Sequence, residues 1–133
     1  MNTVVVDTDV ISYLFKSHTI AQQYLPDLAD RIPIISFMTV AELDRWVLEA
    51  RWGDARRKKL HDYLEPFVVL PYDRDLCLKW AEVTVAALTC GRRIECADAW
   101  IAATALLAGA PLITHNRSDY LGVPGLTLIS HGT

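Results

Sequence analysis

The chain has 133 residues, 52% of them hydrophobic, and its 13 Lys+Arg against 16 Asp+Glu give a formal charge of −3. That length suits one domain and that apolar content builds a core, so a disordered chain is excluded. The longest apolar stretch, Ala99 to Ile113, is broken by Gly109 and Pro111 and falls short of the roughly 18 to 20 residues a spanning helix needs, which predicts no membrane segment. The N-terminus, Met1-Asn2-Thr3-Val4, has no basic region, apolar run or small-residue cleavage site, so no secretory signal is expected and cytoplasm is the default. Cys77, Cys90 and Cys96 are odd in number and lack C-x-x-C spacing, which predicts free thiols in a reducing compartment, not a disulfide framework or a zinc site.

In chain order, short β-branched runs alternate with longer helical periods, the pattern of a parallel sheet covered by helices. A strand is predicted over Thr3 to Val6, then helices over Val10 to Lys16 and Thr19 to Leu28. A second strand covers Pro33 to Ser36, with helices over Val40 to Arg51 and Asp54 to Leu64 behind it. The third strand, Phe67 to Leu70, leads to helices over Asp75 to Leu88 and Ala97 to Leu107. Strands at Leu112 to Thr114 and Thr127 to Ile129, with a short turn after Asn116 between them, complete an α/β fold. No linker, repeat or low-complexity segment interrupts the pattern, so residues 1–133 are expected to form a single domain.

Four carboxylates fall at the ends of these elements. Asp7 closes the first strand, at the carboxyl edge where open α/β sheets place ligands; it and Asp9 also suit helix capping, and Asp9 alone is best read as a cap. Glu42 follows the second strand, and Thr39-x-x-Glu42 equally fits a capping box. Asp98 opens a helix apolar almost all round; it complements the helix dipole, but an acid leading so buried a helix is costly unless paired or metal-bound. Asp119 lies in the polar loop Thr114-His115-Asn116-Arg117-Ser118-Asp119, where Asx turns are a sufficient explanation by themselves. Together, a parallel sheet brings the four acids to one edge. Oxygen-only ligands suit a hard cation, Mg²⁺ or Mn²⁺, and not zinc; without an ion the cluster repels itself. Setting those four acids aside leaves twelve acids against thirteen bases, so the negative total does not exclude a phosphate-bearing substrate.

The segments Val5-Val6-Asp7-Thr8-Asp9, Ser36-x-x-Thr39-x-Ala41-Glu42-Leu43, Ala97-Asp98-Ala99-Trp100-Ile101-Ala102-Ala103-Thr104-Ala105 and Thr114-His115-Asn116-Arg117-Ser118-Asp119-Tyr120 resemble, in this order and spacing, the PIN domain, and in particular the VapC-type toxins of prokaryotic toxin–antitoxin pairs. The resemblance covers nearly the whole chain. It implies a three-layer sandwich with a roughly five-stranded parallel sheet between helices, an acidic metal site and RNA as substrate. It implies further that Asp7 and Asp98 are the principal metal ligands, that Glu42 and Asp119 are the other two catalytic acids, and that Thr8, Ser36, Thr114 and Asn116 support them. Asp9 stands where the family often has Asn or another small polar residue, and Tyr120 where Phe is common.

The chemistry so implied is metal-assisted hydrolysis of a phosphodiester, with 5′-phosphate and 3′-hydroxyl products. Arg117, inside the site loop, is the best candidate for a substrate contact. The run Arg51, Arg56, Arg57, Lys58, Lys59 and the pair Arg92, Arg93 suit RNA phosphates as well as they suit a solvated helix face. Trp46, Trp52, Trp80 and Trp100 suit core or interface packing better than base stacking, and of the four histidines only His115 is near the site. The resemblance also implies a homodimer and a cognate antitoxin seated in a groove, for which Tyr13, Leu14, Phe15, Tyr24, Leu25, Trp46 and Trp52 are suitable. Two alternatives use the same residues: a non-catalytic PIN-like module that binds RNA or protein, and a haloacid-dehalogenase-type phosphotransferase, whose Asp-x-Asp nucleophile motif Asp7-Thr8-Asp9 resembles. The second lacks a late acidic pair and leaves Glu42 without a role.

Overall fold

Val4, Val5 and Val6 put three branched side chains in succession, so both faces of their strand must be covered. The computed structural model, which describes residues 2–132, covers them. The strands are β1 (Thr3–Val6), β2 (Ile32–Ser36), β3 (Val68–Leu70), β4 (Leu112–Ile113) and β5 (Leu128–Ile129). They form one sheet in the order β3-β2-β1-β4-β5, with every neighbouring pair parallel. The helices are α1 (Thr8–Phe15), α2 (Leu25–Leu28), α3 (Phe37–Glu49), α4 (Asp54–Leu64), α5 (Arg74–Thr89) and α6 (Cys96–Ala108), with 3-10 turns at Thr19–Tyr24 and Arg117–Tyr120. The expected five-stranded α/β sandwich is therefore present.

Strand alternation divides the interior into two cores. Val5, Ile34 and Leu112 point to a core completed by Leu76, Val83 and the buried positions of α6. Val4, Val6, Ile35 and Ile113 point the other way, onto Val10, Ile11, Tyr24, Leu43, Val47 and Leu60. Helix α6 is apolar on all sides because Ala99 and Ile101 to Ala105 are all buried. It ends at Gly109, whose φ of 62° suits glycine and whose N–H closes onto Leu106 O at 3.2 Å. Cys77, Cys90 and Cys96 are all free thiols. Among the described residues no helix is long and apolar enough to cross a membrane.

The chain winds outward from β1 through β2 to β3, then crosses to β4 and β5 on the other side of β1. This reversal creates a crevice at the carboxyl ends of β1 and β4, the usual ligand position in such sheets.

Three local expectations require correction. Thr19 to Leu28 is not one helix but a 3-10 turn followed by the single turn of α2, because Pro26 has no N–H to donate four residues back. Helix α1 starts at Thr8, capped by Asp7 and not by Asp9. Helix α3 starts at Phe37, capped by Ser36, whose hydroxyl accepts from Met38 N at 3.0 Å. Thr39 thus lies inside α3, and the capping box that would have employed Glu42 does not form.

Candidate active site

A carboxylate at the end of a buried strand must find donors within the protein, because water does not reach it. Asp7, only 6% exposed, finds three. Its Oδ1 accepts from Thr8 N at 2.7 Å, and its Oδ2 accepts from the Thr114 hydroxyl and the Tyr120 hydroxyl, each at 2.8 Å. Thr114 reaches it because β1 and β4 are adjacent, with Asp7 N bonded to Ile113 O at 2.9 Å. Even so, burial and the neighbouring charge of Asp9 push the Asp7 carboxyl from 3.8 up to about 7.

Asp98, in the first turn of α6, meets the same cluster through Tyr120, whose hydroxyl lies 3.3 Å from Asp98 Oδ1. Burial, then the charges of Asp7, Asp119 and Glu42, raise Asp98 to about 7. A phenol has one proton to give, and the shorter contact to Asp7 takes it. Asp98 Oδ1 is therefore the weaker of its two acceptors, and the single hydroxyl ties both carboxylates to one point. Burial between these acids also pushes the Tyr120 phenol far up, so it remains a neutral donor.

Glu42 joins from α3: its Oε1 accepts from the Thr8 hydroxyl at 2.7 Å, while Thr39 Oγ1 lies 3.0 Å from the same hydroxyl. Asp119 is exposed on the 3-10 turn Arg117–Tyr120; its charge acts on both Asp98 and Asp9, which places it at the rim. Asn116 reaches the site indirectly, donating from Nδ2 to Asp9 Oδ2 at 2.9 Å while its backbone N–H donates to Thr114 Oγ1 at 3.1 Å. Ser36 is buried at the end of β2 and acts as the α3 cap. Arg117 is exposed at the start of the site turn.

Two residues not expected in the site belong to it: Asp9, which the sequence suits to capping alone, and Tyr120. Asp9 instead lies in the first turn of α1, where Oδ1 accepts from Val10 N at 2.7 Å and Oδ2 from His115 N at 3.1 Å. Burial, with Asp98 and Asp119 nearby, raises it to about 6. The available signal was the spacing Asp7-x-Asp9 itself: once Asp7 caps a helix, the residue two later shares its end of the helix. Tyr120 was identifiable only as a departure from a common Phe, because its phenol acquires meaning when β4 and α6 meet.

Several other expectations resolve here. Trp80 and Trp100 stack at 5.2 Å, and Trp46 packs on Trp52 at 4.6 Å, so all four indoles lie in partly buried aromatic contacts. Tyr24 is fully buried, its hydroxyl 2.7 Å from His115 Nδ1. It is a core residue and does not line a groove, whereas Leu25 beside it is 53% exposed. Among the described residues, no three His, Cys, Asp or Glu side chains are arranged as a ready metal cage.

The PIN domain family matches residues 4–120, which includes every acid described above. The VapC ribonuclease Y4jK of Sinorhizobium fredii is 34% identical over 96% of each chain, and ribonuclease VapC5 of Mycobacterium tuberculosis is 29% identical over 91% of this chain and 87% of its own. The structure of VapBC-1 from nontypeable Haemophilus influenzae aligns with TM-score 0.82 and 28% identity, covering 96% of this chain and 97% of the other. The chain belongs to the PIN domain family, and its relatives there are the VapC ribonucleases.

Proposed function

We propose that the chain is a divalent-metal-dependent endoribonuclease, the toxin component of a VapBC-type toxin–antitoxin pair, acting as one nuclease domain over residues 1–133. The observation that carries this reading is the convergence of Asp7 and Asp98 on Tyr120 at the crevice of the sheet. With Glu42 linked to Asp7 through Thr8, whose hydroxyl donates to one and whose N–H donates to the other, and Asp119 at the rim, the donors are all carboxylate oxygens, which fit Mg²⁺ or Mn²⁺. Their electrostatics fit as well, since carboxylates raised by burial and by one another are relieved by a cation.

Asp7 and Asp98 would hold the ion, and a bound divalent ion supplies acidification of a water and charge neutralisation on phosphate oxygens. Thr114 and Tyr120 fix the direction of the Asp7 carboxylate through their hydroxyls. Glu42, oriented by Thr8, accepts the proton of the attacking water or orients it, and Asp119 closes the acidic rim. Asn116 holds Asp9 across the crevice, and Arg117 contacts an RNA phosphate. Ser36 shapes the end of β2. The proposed partners are RNA, a cognate antitoxin and a second copy of the chain, in the cytoplasm.

The test is cleavage of end-labelled cellular RNA by purified protein with Mg²⁺, with Mn²⁺ and with EDTA. Metal-dependent cutting that disappears in Asp98→Asn, with an unchanged circular dichroism spectrum, is expected. Equal cutting by the variant, in a nuclease-free preparation, refutes the assignment.

A further inference from the structure

The cleft that opens from the carboxylates runs between α1 and α3 and encloses about 250 Å³, lined by Thr8, Asp9, Ser12, Lys16, Glu42, Leu43 and Trp46. Its construction follows from helical spacing. Asp9, Ser12 and the C-cap residue Lys16 lie three and four residues apart, along one stripe of α1 and its end, and Glu42 and Trp46 lie four apart on α3. The cleft is therefore acidic at one end, beside the site, and cationic and aromatic at the other. Lys16 is seven residues beyond Asp9, about 10 Å along the helix axis.

The cationic end continues outward. The Lys16 ammonium sits over the Trp46 ring at 4.8 Å, Trp46 packs on Trp52 at 4.6 Å, and the Arg56 guanidinium sits over Trp52 at 4.1 Å. Phe15 supports both indoles, 6.4 Å from Trp46 and 5.7 Å from Trp52. The result is an ordered row, Lys16–Trp46–Trp52–Arg56, that leads from the carboxylates onto the basic face of α4. Neither Lys16 nor Arg56 joins an ion pair among the described residues, whereas Lys58 on the same helix as Arg56 is bound to Asp62 at 2.7 Å. Cations held in place by aromatic faces, and left without carboxylates, are prepared for an external anion. A phosphodiester strand approaching an acidic crevice requires such compensation, because the acids repel it.

We propose that Lys16, Trp46, Trp52 and Arg56 form a binding track for single-stranded RNA flanking the cut bond, with Lys16 and Arg56 each contacting a phosphate. A groove pairing cations with aromatic rings is the general form of a single-strand site. The track rests on the nuclease reading above and adds the direction in which the strand leaves the site. Trp46 and Trp52 position the two cations.

The experiment measures binding of a fluorescein-labelled, mixed-sequence 20-nucleotide RNA by anisotropy between 50 and 200 mM KCl, in the uncut Asp98→Asn background. Lys16→Gln with Arg56→Gln is expected to weaken binding about tenfold at 100 mM KCl. It should also flatten the slope of log K against log[KCl] by about 1.4, since each phosphate contact on a single strand contributes about 0.7. Lys16→Arg with Arg56→Lys, which retains both charges, should restore the parental slope, and Lys58→Gln should leave it unchanged. Lys16, Arg56 and Lys58 are all exposed, and melting temperature checks that the fold persists. An unchanged slope in the double Gln variant overturns the track, even if the parent protein cuts RNA. If the same variant instead loses affinity only for an antitoxin protein, the row is a protein-docking surface and the RNA assignment is wrong. Absence of both RNA binding and cleavage in the parent protein overturns the nuclease reading and the track together.

Discussion

Asp7→Asn should stabilise the metal-free protein, and the amount follows from the burial of one carboxylate. Asp7 is pushed from 3.8 to about 7 by burial and by the charge of Asp9. Between those two values the folded protein holds a proton that the unfolded chain has released. Folding therefore draws full benefit below pH 3.8, and that benefit is lost as pH rises through about 7. A displacement of about three pH units corresponds to about 4 kcal/mol lost between the two limits. Asn keeps the shape of the side chain and carries no charge, so it avoids this loss, although its amide must rearrange against the Thr114 and Tyr120 hydroxyls. A net gain of about 2 to 4 kcal/mol at pH 8 is expected, after allowing for that rearrangement. For a chain of this size about 1 kcal/mol moves the melting temperature by about 3 to 4 °C, so the variant should melt on the order of 10 °C higher in EDTA at pH 8. At pH 5, where the unfolded carboxyl is already ionised, the gain should be smaller by about 2 to 3 kcal/mol. Thermal denaturation followed by circular dichroism, at steps between pH 5 and 8, measures this directly. If Asp7→Asn lowers the melting temperature by the same amount at both pH values, Asp7 is not a strained buried charge. The electrostatic argument for an ion at this site then fails with it.

Tyr120→Phe removes the hydroxyl that spans Asp7 and Asp98, and a lost partner of a metal-holding carboxylate typically reduces affinity about 10- to 100-fold. Titration with Mn²⁺, followed by electron paramagnetic resonance or by the rise in melting temperature, should report this loss. Leu43→Ala empties a fully buried position of α3 in the core it shares with Val10 and Ile11 of α1 and should destabilise by about 2 to 5 kcal/mol in urea denaturation. Gly122→Ala places a methyl 2.5 Å from the backbone oxygen of Arg92, which cannot rotate away, so a destabilisation of about 1 to 3 kcal/mol is expected by the same measurement.

The order of elements was legible without coordinates because each carries its own periodicity. The three valines of β1 and the all-round apolar run of α6 imply burial on both faces before any partner is known. The positions of Asp7 and Asp98 relative to those elements were equally legible, since the end of a strand or the start of a helix is a local property. Failures came where the local signal was ambiguous. Thr39-x-x-Glu42 satisfies a capping pattern, yet Ser36 takes the cap because the chain turns at the end of β2. Asp9 satisfies a cap preference, yet Asp7 occupies that position, and Asp9 turns toward the loop after β4.

What the sequence by itself determined is therefore the parallel α/β architecture and the chemical type of the site, because hydrophobic period and carboxylate identity are properties of neighbouring residues. What only the tertiary structure decided is which groups touch. Thr114 and Tyr120 are 107 and 113 residues from Asp7 along the chain, yet both bond to the same oxygen. Such contacts exist because the reversal of strand order sets β4 against β1, and the raised carboxyls follow because the same reversal removes water from around Asp7.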